Sequence, residues 1–202
     1  MAVMIDDEPL AVDSLGLSTV GEVLAHVQRQ DRLVTTMLID GQEPDLEALP
    51  ALRARPVTGH TLYIETCPPT EIACEILAAT ASQLESIDPL RIAAVEALRQ
   101  NQPARAMEKL GGCLAAWQAA QQAVTQIAQL LKLDLDLVRI DGQSLHDITD
   151  NFASQLREIR TCLENRDYVL LADLLAYEAS TATRRWIDAT RQLQHAAGCP
   201  LS

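Results

Sequence analysis

The segment that decides the fold is residues 61–77, which read TLYIETCPPTEIACEIL. Its first half alternates apolar and polar side chains up to Thr66, which is the pattern of a half-buried strand. Pro68 and Pro69 then interrupt the chain, and from Thr70 onward the apolar residues recur with the 3.6-residue period of a helix. The segment therefore predicts two parts, an α/β module over residues 1–68 and a helical region over residues 69–202.

Toward the N-terminus, short β-forming stretches flank one strong helix signal. Thr19 and Glu22 stand at capping-box spacing, and the helix that follows has one apolar face, made of Val20, Val23, Leu24 and Val27. The run Leu33–Ile39 is rich in β-formers and ends at the turn Asp40-Gly41. The predicted order is strand, strand, helix, strand, short helix, strand, at residues 2–5, 10–12, 19 onward, 33–39, 46–52 and 61–66.

This order of elements resembles the ubiquitin-like β-grasp module over about the first third of the chain. Conjugated modifiers and sulfur carriers of that fold react through a free C-terminal Gly-Gly. The Gly-Gly of this sequence, Gly111-Gly112, lies inside a helical segment, and the module continues into more protein. The resemblance therefore implies a protein-binding type of small domain and no role in conjugation.

The second part is predicted to consist of amphipathic helices joined by short connections. They start near Thr70, Asp88, Pro103, Ser144 and Tyr168, because proline suits the first helical position and serine is a good N-cap. Short connections place such helices antiparallel. The expected fold class is α+β, with a β-grasp-like module followed by an antiparallel helical bundle. Its most buried seam is expected on the helix from Pro103, at Met107, Leu110, Leu114, Trp117, Val124, Ala128 and Leu131.

The segment 165–178, NRDYVLLADLLAYE, resembles one found near the C-terminus of uncharacterised bacterial proteins with the same two-part layout. Those proteins have no assigned activity, so this resemblance implies an architecture and no chemistry. In shape, acidity and helix pattern, the helical region is also loosely similar to the small chaperones of bacterial flagellar export. That likeness implies a chaperone-like role.

Charge and hydropathy exclude several classes of partner. With Lys+Arg 16 against Asp+Glu 28, the formal net charge is −12, which repels nucleic acid and anionic lipid. No apolar run reaches the ~20 residues that span a bilayer, and the first residues lack the basic stretch of a signal peptide. We therefore expect a cytoplasmic location. The five cysteines are expected to be isolated thiols, with no structural disulfide.

No sequence motif for catalysis, nucleotide binding or a cofactor is present. His146 and Asp150 form an i, i+4 pair beside Asp147, but the Glu-x-x-His pairs of di-iron proteins do not occur. We interpret this cluster as the solvated start of a helix. The sequence therefore predicts no catalytic residue, no cofactor and no metal.

Two functions remain open from the sequence. The first is a non-catalytic interaction protein, such as an adaptor, scaffold or chaperone-like module, that contacts another protein. Its candidate contacts are the sheet edge and an exposed helix side bearing Arg184, Arg185 and Trp186, since Trp and Arg are enriched in binding hot spots. Self-association into a homo-oligomer is also left open. The alternative is an enzyme or small-ligand sensor whose pocket is formed by Tyr168, Asp173, Tyr177 and Glu178.

Overall fold

The computed structural model describes residues 2–140 and 142–199. The chain is an α+β protein in which a small mixed sheet of four strands at the N-terminus is followed by helices. It divides into two compact units between Ile72 and Ala73. We call residues up to Ile72 the sheet unit and residues from Ala73 onward the helical unit.

The strand order in the sheet unit is β2-β1-β4-β3. Here β1 is Ala2–Ile5, β2 is Glu8–Pro9, β3 is Leu33–Ile39 and β4 is Thr61–Cys67. β1 and β4 run parallel, whereas β2 pairs with β1 and β3 pairs with β4 in antiparallel orientation. Three of the four predicted strands are confirmed, at the positions of β1, β3 and β4.

The prediction of a second strand at residues 10–12 is wrong. Asp6 and Asp7 both have positive φ angles, 51° and 65°, and such a pair makes a tight two-residue turn. The chain therefore reverses early and pairs Glu8 with Ile5. The next residues, Val12–Leu15, form the short helix α1 instead of a strand.

Helix α2 (Val20–Arg29) begins at the predicted capping box. The Thr19 hydroxyl accepts a hydrogen bond from the Glu22 N–H, and the Glu22 carboxylate accepts one from the Thr19 N–H. A 3₁₀ turn, Leu46–Ala48, leads into α3 (Leu49–Ala54). Pro50 lies in the first turn of α3, so it starts this helix and does not interrupt it.

The sheet unit has its own apolar core, contributed by β1, β3, β4, the three helices α1 to α3 and the loop before β4. Its buried members are Val3, Val12, Val20, Val23, Ile39, Leu52, Val57, Leu62 and Ile64. Gly21 lets α2 and α3 approach closely, since a Cβ at this position would lie 2.8 Å from the Arg53 carbonyl oxygen. The close approach fixes where α3 lies beside α2.

Helix α4 (Pro69–Ser86) begins in the sheet unit and continues into the helical unit. The remaining elements are α5 (Asp88–Arg99), α6 (Pro103–Leu130), β5 (Arg139–Ile140), β6 (Gln143–Ser144), α7 (Leu145–Asn165), α8 (Tyr168–Asp173) and α9 (Ala179–Ala196). The predicted cap Ser144 is confirmed, because its hydroxyl accepts a hydrogen bond from the Asp147 N–H.

The helix predicted from Tyr168 is continuous to Ala196, with a π-helical turn, Leu174–Glu178, between α8 and α9. Such a turn shifts the hydrogen-bond register and leaves carbonyl groups without helical partners. Arg91 of α5, which is 7% exposed, supplies the donors. Its Nη1 lies 2.8 Å from the Leu175 oxygen and 3.4 Å from that of Ala176. Its Nε and Nη2 donate to Asp88 Oδ1 at 2.9 and 2.6 Å.

The predicted seam of α6 is only partly correct. Leu110, Trp117, Val124 and Ala128 are buried, but Met107, Leu114 and Leu131 are only partly buried. The buried face turns instead toward small side chains that allow close packing, namely Ala106, Cys113, Ala116 and Ala120. Ile76 of α4 is 40% exposed.

The expectation that the cysteines are isolated thiols is wrong for two of them. Cys74 of α4 and Cys199, just after α9, form a disulfide across a sequence separation of 125 residues. Both lie in the helical unit. Cys113 and Cys162 are buried thiols, and burial raises the pKa of Cys113 to about 11, which keeps it protonated and unreactive.

Among the described residues, no helix combines the length and the apolar character needed to cross a bilayer.

Candidate functional site: a groove beside strand β3

The four residues of the predicted ligand pocket lie on an exposed part of the helical unit. Asp173, Tyr177 and Glu178 are exposed, with Tyr177 at 67%, and Tyr168 is half-buried. Glu178 lines a cavity of about 10 Å³, which is at the lower limit for one water molecule. A ligand pocket formed by these side chains stays a prediction.

Trp186 is not on the exposed side of its helix, so that expectation is wrong. It is 1% exposed, and its ring centroid lies 5.3 Å from that of Phe152. The reason is that Trp186 shares a helix face with the buried residues Thr183 and Ala189. Arg184 and Arg185 are exposed, and their contact with a partner stays a prediction.

The His146 cluster is arranged as a helix start. His146 Nε2 lies 3.6 Å from Asp150 Oδ2, with both side chains exposed. Asp147 instead accepts a hydrogen bond from the Ser144 hydroxyl at 2.7 Å, which lowers the pKa of its carboxyl group. Within residues 2–140 and 142–199, no group of three or more His, Cys, Asp or Glu residues is placed to hold a metal ion.

A groove of about 570 Å³ lies beside β3 in the sheet unit. Five successive β3 residues line it, from Leu33 to Met37. Alternate side chains of a strand point to opposite faces of the sheet, so a space that touches all five must run along the edge of the strand. β3 is the last strand of the sheet, with β4 as its neighbour within the described residues. We call this space the β3 groove.

The end of β3 shows which backbone groups point into the groove. The Ile39 N–H donates to the Gln42 oxygen (2.9 Å) and the Ile39 oxygen accepts from the Gln42 N–H (3.0 Å), while Asp40 N–H donates to Thr61 of β4. The backbone groups of successive strand residues alternate in direction. Met37, two residues before Ile39, therefore also directs its N–H and C=O away from β4, toward the groove.

The other wall of the β3 groove is largely apolar. Leu24 and Gln28 come from α2, Pro44 and Leu49 from the region before and at the start of α3, and Ile72 from the start of α4. Leu49 is 39% exposed. A trough with a strand edge on one side and apolar side chains on the other matches an extended peptide, which offers both backbone hydrogen bonds and alternate side chains.

Three charged residues line the groove: Arg32, Arg53 and Glu43. Arg32 is held by other parts of the sheet unit, since its Nη2 lies 2.9 Å from Asp6 Oδ2 and 2.9 Å from the Thr66 oxygen. The Thr66 hydroxyl and N–H also donate to Asp6, and together with Arg32 they hold the pKa of that carboxyl below its usual range. This cluster ties the start of β3 to the β1–β2 turn.

The helical unit instead directs its polar groups inward. Trp117 Nε1 donates to Thr183 Oγ1 at 3.0 Å, and that hydroxyl donates to the Ala179 oxygen at 2.7 Å. Two buried atoms, Trp186 Nε1 and Gln155 Oε1, have no hydrogen-bond partner among the described residues. Both residues line a cavity of about 30 Å³, which has room for one ordered water.

The sequence pointed to the sheet edge as a candidate contact but to none of the groove residues. Leu24, Met37 and Leu49 come from three separate elements, and no local pattern brings them together. The one available signal is Arg53, a basic residue in α3 within a unit that has few basic residues.

Comparison with known proteins gives one match. A family described as a domain of unknown function, DUF8042, matches residues 75–189, which is more than half of the chain and lies in the helical unit. No curated protein and no solved structure matches the chain.

Proposed function

We propose that the chain, which belongs to the DUF8042 family, is a non-catalytic protein-interaction module of the adaptor, scaffold or chaperone-like kind. Its docking site is the β3 groove, which takes an extended segment of another protein as an added strand. The observation that carries this proposal is the continuous lining of the groove by Leu33–Met37 along the open edge of the sheet. Main-chain hydrogen bonds supply affinity in this mode of recognition, and side-chain pockets supply specificity.

The assignment of the sheet unit as a β-grasp module and of the helical unit as an antiparallel bundle is part of the same proposal. The element order and the mixed strand order β2-β1-β4-β3 support a β-grasp module. Connections of one to a few residues between α4, α5 and α6 support an antiparallel helical bundle. In this assignment the sheet unit binds, and the helical unit serves as a stable body attached to it.

A cytoplasmic location stays a prediction. The Cys74–Cys199 disulfide weighs against it, because disulfides persist mainly in oxidising compartments.

The test begins with selection of binding peptides from a displayed library of random eight-residue sequences. The binding of the selected peptides is then measured for two variants at Met37. Met37→Ala removes the side chain, and Met37→Pro also removes the backbone N–H that points away from β4. Proline is tolerated on an edge strand when its N–H faces outward, so both variants should fold. We expect selected peptides to alternate apolar and polar residues, and Met37→Pro to bind them at least about tenfold more weakly than Met37→Ala does.

A matched pair of leucines controls for general surface effects. Leu49→Asp, in the groove wall, should weaken binding, whereas Leu15→Asp, on α1 outside the groove and 47% exposed, should not. Circular dichroism checks that each variant is folded. The proposal is wrong if no peptide is enriched, or if the two Met37 variants bind selected peptides equally well.

A further inference from the structure

The charge of the β3 groove differs from that of the unit around it. Residues 1–72 contain twelve acidic residues against four arginines and no lysine. Two of those arginines, Arg32 and Arg53, line the groove, where Glu43 is the acidic member of the lining. The groove lining therefore has two arginines against one acidic residue, whereas acidic residues outnumber arginines in the unit as a whole, so it repels a carboxylate less than the rest of the surface does.

The two arginines are not equivalent. Arg32 is already engaged by Asp6 and Thr66. Arg53 is exposed, and its side chain makes no hydrogen bond or ion pair within the described residues. Its backbone is nevertheless fixed, because its carbonyl oxygen lies where a Cβ of Gly21 would be only 2.8 Å away. Arg53 thus presents a positive charge, unpaired among the described residues, from a fixed backbone position on the groove wall.

We infer that the segment taken up by the β3 groove is an acidic peptide, with one aspartate or glutamate positioned to pair with Arg53. This inference rests on the proposed function. The carboxylate accepts hydrogen bonds from the planar guanidinium, while apolar residues of the same segment contact Leu24 and Leu49. Glu43 repels a second carboxylate near the end of β3, which favours one acidic residue over an acidic run.

The experiment uses three fluorescein-labelled peptides of eight residues, with valine at alternate positions and Asp, Asn or Lys at one central polar position. Fluorescence anisotropy measures their binding to the full chain at low salt. We expect the Asp peptide to bind about two- to fivefold more tightly than the Asn peptide, the range for an exposed ion pair, and the Lys peptide to bind most weakly. Arg53→Glu should reverse that order.

The control variant is Arg29→Glu, which makes the same change in net charge at an exposed position of α2 that does not line the groove. It should keep the wild-type order of the three peptides. Equal binding of the peptides, or an order that Arg53→Glu leaves unchanged, overturns the inference while the groove remains a docking site. Binding that is unaffected by Met37→Pro overturns the proposed function itself. Wild-type self-association that is lost in Met37→Pro also overturns the inference, because the occupant is then a second copy of the chain.

Discussion

The two units treat their polar groups in opposite ways. In the helical unit, the buried Arg91 guanidinium donates a hydrogen bond to the Leu175 carbonyl of a π-helical turn, and the Trp117 indole donates one to a buried threonine. In the sheet unit, the edge of β3 and the Arg53 side chain face an open groove. Backbone and charge that are not used inside a fold are available to a partner. The contrast therefore supports the proposal that the sheet unit binds a partner and that the helical unit gives structural support.

The largest effect that tests this contrast is loss of the disulfide. The Cys74–Cys199 disulfide closes a loop of 125 residues within the helical unit. The double variant Cys74→Ser/Cys199→Ser should therefore lose about 3–5 kcal/mol of unfolding free energy. Both tryptophans lie in the helical unit, so tryptophan fluorescence during urea unfolding reports on that unit. Reductant should destabilise the wild-type chain to the same extent and leave the double variant unchanged. A reductant-insensitive wild type would contradict the bridge.

The second-largest loss of unfolding free energy is expected when Arg91 is replaced. Arg91→Met removes the charged hydrogen bonds to the Leu175 carbonyl of the π-helical turn and to Asp88. We expect a loss of about 2–3 kcal/mol, measured by the same fluorescence assay. The control is Arg191→Met, which breaks an exposed ion pair with Glu85 (2.7 Å) and should cost under about 1 kcal/mol. Similar losses for the two variants would mean that Arg91 is not supporting the turn.

The sequence predicted the parts of this fold that depend on local signals. The capping box at Thr19, the N-cap Ser144 and the strand Leu33–Ile39 are each predicted from a few adjacent residues. It did not predict features that depend on distant residues. The π-helical turn needs Arg91, which is 84 residues from Leu175, and no helix period shows such a contact.

The candidate site was harder to predict for the same reason. A strand edge becomes a groove only when other elements form its second wall, and here those elements are α2, α3 and the start of α4. For Trp186, the sequence predicted an exposed contact residue where the structure has a buried one. An aromatic residue beside two arginines resembles a hot spot in sequence, but the helix period places it on the buried face.

Two glycines test how tightly each unit is packed. Gly21→Ala places a methyl group against the Arg53 backbone oxygen, so we expect a loss of about 1–3 kcal/mol in the sheet unit. Gly111→Ala in α6 meets nothing within 4 Å, and it should stabilise the helical unit by about 1 kcal/mol through helix propensity. Hydrogen exchange, measured on individual peptides of the digested protein, reports the stability of each unit separately. If Gly21→Ala has no effect on exchange in residues 2–72, α2 and α3 are not in close contact.

The smallest expected effect is the difference in stability between variants of the two buried tryptophans, Trp117 and Trp186, which both pack on Phe152. Replacing either by phenylalanine removes a similar volume, but Trp117→Phe also removes the hydrogen bond to Thr183, whereas Trp186→Phe removes a donor with no partner among the described residues. Trp117→Phe should therefore cost about 1 kcal/mol more, measured by far-UV circular dichroism in urea. Thr183→Val in the Trp117→Phe background isolates the hydrogen bond in a double-mutant cycle. Equal losses for the two tryptophans would mean that Trp186 is hydrogen-bonded in solution, with a water in the cavity it shares with Gln155 as its partner.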